Sequence, residues 1–371
     1  MKEIKFGNNL YYSQAYELLK KKVITASQEA WDSIWLPDHL SGIPGGAIDD
    51  FFCLWPLFGA FTELAKGKTL GSAVTDPYRL HPASLAQMST TLNHMTGGKF
   101  ILGMGAGEGM NLKAFNIDYS HTITKMDESI RLMKKFWKEG ENVSFKGKYY
   151  QVNGAFLLPK PISDIPVWIA GNGPKTLKLT AEIADGWMPL GAFPQVYKEN
   201  RNTLLDIMKK EGRDVNKFTF GYFTRIFMHD DEERLKSFYS GMKSGLSMQP
   251  RTLKKLGYWK EEYEEIFQEA TGFSSEEMSI LVYDRYDIGK FDYRKLAPLA
   301  EDIPDKLIKE SGMIGTKEDI IKKIQKFVDA GAEHFVLELQ NGVSRRNAPF
   351  TYFDVTKIIS EDIIPVIKDS K

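Results

Sequence analysis

The sequence predicts an α/β protein built as a (β/α)8, or TIM, barrel with a long insertion between its seventh and eighth strands. Strand-like and helix-like segments alternate along all 371 residues, which is the pattern that parallel barrels produce. The one long departure is 230–310, which is too long for a single crossover and contains scattered prolines and glycines. We therefore expect one domain, 1–371, whose insertion 230–310 packs over the C-terminal rim.

Short apolar and β-branched runs mark the predicted strands. In chain order these runs cover 4–6, 33–36, 69–75, 99–104, 166–170, 186–189, 218–228 and 334–339. Apolar residues at helical spacing lie between them. Pro82 suits a first helical turn and Gly331 suits the residue after a last turn. The main predicted helices cover 15–30, 82–95, 120–137, 195–211, 317–330 and 352–367, and 145–152 predicts a small added hairpin.

Composition excludes several classes of protein. Lysine plus arginine and aspartate plus glutamate both number 49, so the basic excess typical of nucleic-acid binding is missing. Cys53, the only cysteine, allows no disulfide and is expected to be a small buried hydrophobe. No histidine pair has metal-ligand spacing, so we expect no metal site. With neither a signal-peptide pattern nor an eighteen-residue apolar run, we expect a cytoplasmic protein that acts on a small molecule.

The second predicted strand ends in Pro37, Asp38, His39 and Leu40. Catalytic residues of barrel enzymes come from the C-terminal ends of strands. Histidine exchanges protons near neutral pH, so His39 is a candidate acid or base. The alternative is a hydrogen-bonded structural histidine at a strand end.

The fourth predicted strand ends in Gly103, Gly105 and Gly107, followed by Glu108. Alternate glycines allow a flat ligand ring to lie against the backbone, and Glu108 is a second candidate for proton transfer. The alternative is a helix-cap carboxylate beside glycines that ease packing. No acidic residue stands clearly about 20 residues further on, so a dinucleotide fingerprint does not fit.

Two further strand ends are candidate ligand sites. Gly171-Asn172-Gly173-Pro174 leads into a helix, and free backbone N–H groups at such a turn bind anions, so we favour a phosphate site over a plain loop. The small residues of 72–77 suit close approach to a cofactor ring, although a plain small-residue strand fits them equally well.

These motifs together resemble the luciferase-like flavin and deazaflavin oxidoreductases, and within them the enzymes that use coenzyme F420. The resemblance covers most of the chain. It is strongest at 35–40 (WLPDHL), 72–87 (SAVTDPYRLHPASLAQ), 99–111 (KFILGMGAGEGMN), 169–187 (IAGNGPKTLKLTAEIADGW) and 311–320 (SGMIGTKEDI). Methylenetetrahydromethanopterin reductases, alcohol and sugar-phosphate dehydrogenases and phthiodiolone ketoreductases belong to this group.

The resemblance implies a role for each matching residue. His39 and Glu108 would be catalytic, and Ser72 and Ala73 would flank a non-prolyl cis peptide. The residues implied in cofactor binding are Asp38, Ser72, Ala73, Thr75, Ala106, Gly107, Asn111, Ala170, Gly171, Asn172, Gly173 and Pro174. Asp38 would bond to the ring system, and the turn at 171–174 would hold the tail phosphate.

Two departures bear on the substrate. Ile43 stands where the alcohol and sugar-phosphate enzymes have a tryptophan, and 189–192 (PLGA) lacks the lysine of the sugar-phosphate enzymes. Glucose 6-phosphate is therefore not the expected substrate. The long insertion is closer to the ketoreductases, whereas 75–83 (TDPYRLHPA) is closer to the pterin reductases.

The sequence thus predicts an F420-dependent oxidoreductase that transfers a hydride to or from a methylene-tetrahydropterin or a ketone/secondary alcohol pair. Two alternatives stay open, an FMN-dependent monooxygenase and a flavin-binding barrel without turnover. Members of this superfamily are often dimers, so a homodimer is expected.

Overall fold

The computed structural model describes residues 2–10, 15–40, 51–191, 193–277, 292–340 and 351–370. Ile43 and Ala192, which bear on the expected substrate, lie outside these ranges. Eleven strands are described: β1 Lys5–Asn9, β2 Ser33–Leu36, β3 Thr69–Ser72, β4 Phe100–Met104, β5 Val143–Lys146, β6 Gln151–Ala155, β7 Val167–Ile169, β8 Gly186–Trp187, β9 Thr219–Met228, β10 Met313–Gly315 and β11 His334–Leu339.

Fifteen α-helical segments accompany the strands in the described ranges. They are α1 Tyr16–Gln28, α2 Leu54–Phe61, α3 Pro82–Met95, α4 Gly109–Leu112, α5 Thr122–Glu139, α6 Pro174–Ile183, α7 Pro194–Lys210, α8 Glu232–Ser247, α9 Pro250–Lys255, α10 Tyr263–Thr271, α11 Ala297–Asp302, α12 Asp305–Ser311, α13 Lys317–Asp329, α14 Tyr352–Ile358 and α15 Ile364–Asp369.

Eight parallel strands close into a barrel, which confirms the predicted (β/α)8 class. Their order around the ring is β1, β2, β3, β4, β7, β8, β9 and β11. The β8–β9 and β11–β1 pairings close the circle. Since all eight run in the same direction, their C-terminal ends meet at one mouth of the barrel.

Local chemistry explains where several helices begin. Pro82 occupies the first turn of α3, and the His81 side chain caps that turn by accepting a bond from the Ala83 N–H at 3.1 Å. Thr316 and Asp319 form a capping box at the start of α13. These caps fix the helix starts close to the predicted residues.

The barrel interior is filled mainly by large side chains. The indoles of Trp35 and Trp168 pack with their ring centroids 5.2 Å apart. Val336 and Phe223 belong to the same buried interior cluster. A larger apolar core lies between the strands and the surrounding helices.

Several local features differ from the sequence expectations. The short strand β10 pairs with β9 and was not predicted, because three residues give too little pattern to recognise. The third strand ends at Ser72 rather than Thr75, because the chain bulges there before Thr75 bridges to Met104. The prediction for Cys53 was wrong: it is exposed, because it directly precedes α2 at the protein surface.

The insertion is helical where it is described. Segments α8 to α12 lie between β9 and β10, and they share a second apolar cluster built around Leu235, Leu253 and Leu299. The insertion leaves the barrel at the C-terminal end of β9; its packing over the rim stays a prediction. Within the described ranges, no helix is both long and apolar enough to cross a membrane.

Candidate active site at the C-terminal mouth of the barrel

The residues singled out from the sequence gather on one arc of the barrel mouth. They follow β2, β3, β4 and β7, which are consecutive in the ring. Asp38 and His39 follow β2, Thr75 follows β3, Glu108 and Asn111 follow β4, and 170–174 follow β7. The fold therefore brings together residues that are up to 136 positions apart in sequence.

His39, Asn111 and Glu108 form a hydrogen-bonded trio. Asn111 Nδ2 donates to His39 Nδ1 at 3.1 Å and to Glu108 Oε2 at 3.2 Å. His39 Nδ1 and Glu108 Oε2 lie 3.5 Å apart. The imidazole also stacks on Phe51, with ring centroids 4.9 Å apart. Asn111 thus bonds to both members of the proposed catalytic pair, His39 and Glu108, and positions their side chains.

The orientation of Asn111 fixes the tautomer of His39. Asn111 Oδ1 accepts a bond from the Leu40 backbone N–H at 2.8 Å. Since that N–H can only donate, the amide NH2 group must face His39. Nδ1 of His39 is then the acceptor, and the proton of the neutral ring is on Nε2.

His39 is neutral at physiological pH. Burial lowers the pKa of His39 from 6.5 to about 4, while the charges of Asp38 and Arg79 act on it in opposite directions. A neutral imidazole with Nδ1 occupied offers an Nε2–H donor. This arrangement suits hydrogen bonding to an oxygen or nitrogen that gains negative charge.

Asp38 belongs to a buried ionic cluster that the sequence did not reveal. Thr75 Oγ1 donates to Asp38 Oδ2 at 2.6 Å, and Arg79 Nη2 lies 2.8 Å from the same oxygen. Arg79 Nε also donates to Asp76 Oδ2 at 2.5 Å. Burial raises the pKa of Asp38, with Arg79 and Thr75 opposing the rise. Arg79 joins two carboxylates that would otherwise repel each other.

The role inferred for Ser72 needs correction. Its hydroxyl is fully buried, donates to the Gly103 carbonyl and accepts from the Gly103 N–H, both at 2.9 Å. The side chain therefore joins β3 to β4; a contact of Ser72 with a cofactor stays a prediction. The cis peptide lies between Ala73 and Val74, one bond later than expected, because Ala73 N–H still continues the strand ladder to Leu36.

The glycines at the end of β4 leave space for neighbouring parts of the chain. A Cβ on Gly103 would collide with the Ser72 carbonyl, and one on Gly105 would lie 2.7 Å from Val74 Cγ2. These two glycines therefore admit the bulge after β3; that a ligand ring also lies against this backbone stays a prediction. Ala106 and Gly107 are partly exposed, and their carbonyls accept bonds from the Tyr78 and Tyr119 hydroxyls, both at 3.0 Å.

The turn at 171–174 leads directly into the N-terminus of α6. Gly171 has φ +152°, and its carbonyl accepts from the Trp187 indole N–H at 2.8 Å. The following helix, α6, has no side-chain hydrogen bond at its N-cap, Gly173. Its first-turn N–H groups are thus directed out of the helix end, where they favour negative charge.

Three polar residues on the opposite arc were also missed. Asn9 ends β1, Arg225 lies on β9 and Glu338 lies on β11. Glu338 is 2% exposed despite its charge. Among the described residues, no group of three or more potential metal ligands occurs.

The family model described as luciferase-like monooxygenase matches residues 4–334. The chain belongs to this luciferase-like family. Among curated relatives, the 5,10-methylenetetrahydromethanopterin reductase of Archaeoglobus fulgidus is 23% identical over 367 residues, which cover 98% of this chain and all of that protein. The F420-dependent glucose-6-phosphate dehydrogenase of Kineococcus radiotolerans is 25% identical over 357 residues, covering 93% of this chain and 91% of that protein.

Solved structures of luciferase-like proteins share the fold. An F420-dependent secondary alcohol dehydrogenase in complex with an F420–acetone adduct superposes with a TM-score of 0.74. It is 24% identical, and the match covers 99% of each chain. At this identity the likeness shows the barrel fold alone.

Proposed function

We propose that this protein is an oxidoreductase that uses coenzyme F420. A hydride would pass between C5 of the deazaflavin and either a methylene-tetrahydropterin or a ketone/secondary alcohol pair. The observation that carries the proposal is the trio of His39, Asn111 and Glu108 at the barrel mouth. A relative and a solved structure that are both named as F420-dependent dehydrogenases support it.

The described residues fit a long, flat cofactor with a phosphate-bearing tail. Backbone at Ala106 and Gly107 is accessible, and Ala73 lies partly exposed beside it at the bulge. The N-terminus of α6, next along the arc, would hold the phosphate of the tail. Ring and tail would thus occupy β3, β4 and β7, with Asp38 and Thr75 supporting the bulge through their mutual bond.

The cofactor supplies the hydride chemistry, and the protein supplies orientation and electrostatics. His39 directs Nε2–H towards the reacting group of the substrate and stabilises negative charge there. Asn111 donates to Nδ1 of His39 and thereby keeps the proton of the neutral ring on Nε2. Glu108 accepts the second hydrogen of Asn111 and thereby stabilises the same orientation.

The choice of cofactor is tested by titrating the purified protein with F420 and with FMN, following fluorescence. We expect saturable binding of F420 and weak or absent binding of FMN. Preference for FMN, with oxygen uptake by the reduced complex, would instead make the protein a monooxygenase. Binding of F420 without hydride transfer to any pterin or carbonyl tested would favour the non-catalytic barrel.

We favour the pterin or carbonyl substrates over glucose 6-phosphate. The segment after β8 supplies no lysine at its described positions 188–191. A sugar phosphate would therefore find no lysine at these positions to pair with its negative charge. The insertion 230–310 begins at the same mouth of the barrel, so it is the segment most suited to shape the substrate pocket.

We also propose that the protein forms a homodimer. Met95 at the end of α3 and Phe156, Leu158 and Ile162 after β6 are each at least 46% exposed. The bond between His94 and the Lys160 carbonyl joins these two segments, so the apolar side chains lie on one side of the barrel. A second copy would remove them from water. Light scattering that gives the mass of one chain would contradict this assembly.

A further inference from the structure

Asn9, Glu338 and Arg225 occupy one level of the barrel interior at its C-terminal mouth. Asn9 pairs with Glu338 across β1 and β11, and Glu338 pairs with Arg225 across β11 and β9. Two residues earlier on β11 and β9, Val336 and Phe223 belong to the interior cluster. Alternate residues of a strand share a face, so these polar residues also face the interior. We call Asn9, Glu338 and Arg225 the polar triad.

Glu338 is buried and fully engaged. Its Oε1 accepts from Arg225 Nε at 3.0 Å and from Gln340 Nε2 at 2.6 Å, and its Oε2 accepts from Asn9 Nδ2 at 3.2 Å. The ion pair with Arg225 compensates the charge of the carboxylate. This part of the mouth therefore has a defined arrangement of polar atoms before any ligand arrives.

Asn9 has one unused hydrogen-bonding atom. A carboxylate can only accept, so the NH2 group of Asn9 must face Glu338 and Oδ1 must be directed away from it. Asn9 is 1% exposed, and its Oδ1 has no hydrogen-bond partner within the described part of the chain. A buried amide oxygen without a donor is costly. Asn8 Oδ1 also has no partner among the described residues, but Asn8 lies against α14 outside the barrel, whereas Asn9 lies inside it at the mouth, where a substrate could supply the donor.

The position of the polar triad suits substrate rather than cofactor. Except for Asp38, which follows β2, the candidate cofactor groups lie at the ends of β3, β4 and β7, whereas the triad lies on β9, β11 and β1, across the barrel mouth. β2, which His39 follows, separates β1 from β3. The charges of both Glu338 and Arg225 influence the pKa of His39, consistent with their being neighbours. A substrate between His39 and the cofactor would extend onto the triad.

We propose that the polar triad is a substrate-recognition subsite that binds an uncharged N–H or O–H donor of the substrate through Asn9 Oδ1. This inference rests on the proposed function and narrows its substrate class. Asn9 Oδ1 can only accept a hydrogen bond, so it cannot bind an ionised phosphate or carboxylate oxygen, which also only accepts. Ring N–H groups of a reduced pterin and the hydroxyl of a secondary alcohol are both suitable donors, whereas a simple ketone offers none.

The test compares Asn9→Leu with Asn8→Leu. Both variants carry the same change on the same strand, but Asn8 is directed outwards, where it donates to the Tyr352 hydroxyl at 2.9 Å. The probes are tetrahydropterin, its N-methylated analogue and 2-propanol. Binding of each is measured calorimetrically with and without F420, and the F420 affinity of each variant is measured separately.

We expect Asn9→Leu to weaken binding of tetrahydropterin or 2-propanol about tenfold, with unchanged F420 affinity. The N-methylated analogue should bind both proteins equally if the pterin N–H is the donor, and loss confined to 2-propanol would identify a hydroxyl donor instead. Asn8→Leu should match the wild type in ligand affinity even where it lowers stability.

Equal affinity of wild type and Asn9→Leu for both donors, or binding of neither donor by the wild type, overturns the subsite. The measurements without F420 decide this even if the protein proves not to use F420. Conversely, hydride transfer that persists unchanged in Asn9→Leu would overturn the subsite while leaving the proposed function standing.

Discussion

We expect His39→Leu to lower turnover with F420 and its substrate at least about a hundredfold, the usual scale for losing a positioned acid–base or donor group. Leucine retains apolar bulk against Phe51 but removes the Nε2–H donor and the acceptor for Asn111. Turnover is measured from the absorbance change of the deazaflavin. His94→Leu, a change on the outer surface at α3, is the matched control and should retain wild-type turnover.

Two additional variants test the separate roles of His39 and Glu108. His39→Gln places an amide N–H near the position of Nε2–H, so partial recovery would indicate that hydrogen bonding is sufficient. Glu108→Gln removes the carboxylate charge and should also lower turnover about a hundredfold if Glu108 takes part in proton transfer. Near wild-type turnover in both His39→Leu and Glu108→Gln would remove the trio from the mechanism.

The low pKa of His39 also predicts how stability and activity depend on pH. The folded value, about 4, lies below the ordinary 6.5, so the unfolded chain binds more protons between these two values. The contribution of His39 makes stability fall as pH decreases through that interval. Activity that depends on neutral His39 should persist to about pH 5. An acid limb that follows an imidazole pKa near 6.5 would contradict the neutral state of this partly buried histidine.

The second large effect is expected for Arg79→Met, which should lower the free energy of unfolding by about 3–5 kcal/mol. The change leaves Asp38 and Asp76 buried without the cation that compensates both of them. The bond between Asp38 and Thr75 would lose its orientation, so F420 affinity should fall as well. Urea unfolding and F420 titration measure the two effects.

Arg131→Met is the matched control for Arg79→Met. Arg131 pairs with Asp127 on the exposed surface of α5, where an ion pair contributes at most about 1 kcal/mol. Without Arg79, the pKa of Asp38 should rise further above its unfolded value, so the stability penalty should shrink as pH falls and the carboxyl protonates. A penalty equal to that of Arg131→Met, or one independent of pH, would contradict the proposed role of Arg79.

Sequence patterns predicted the barrel because its strands and helices each repeat a local signal. Asp38, His39 and Glu108 were found because strand ends in a parallel barrel converge on one mouth. The link between His39 and Glu108 through Asn111 depends on a one-turn helix, α4, that brings Asn111 beside both side chains. The sequence suggested Asn111 only as a cofactor contact.

The features that were missed all depend on distances between strands. Arg79 follows Asp76 by three positions, but its second partner, Asp38, lies 41 positions earlier. Asn9 and Glu338 are 329 positions apart and meet only because β1 and β11 close the ring. The close approach of Val74 to Gly105 was missed because the two residues lie at different strand ends.

The most direct test of the proposed function is a single-turnover experiment with the protein, reduced F420 and a hydride acceptor in the absence of oxygen. We predict that a methylene-tetrahydropterin or a ketone restores the absorbance of oxidised F420, and that one equivalent of reduced product appears. Reoxidation that occurs only when oxygen is admitted, with none from any organic acceptor, would contradict the account.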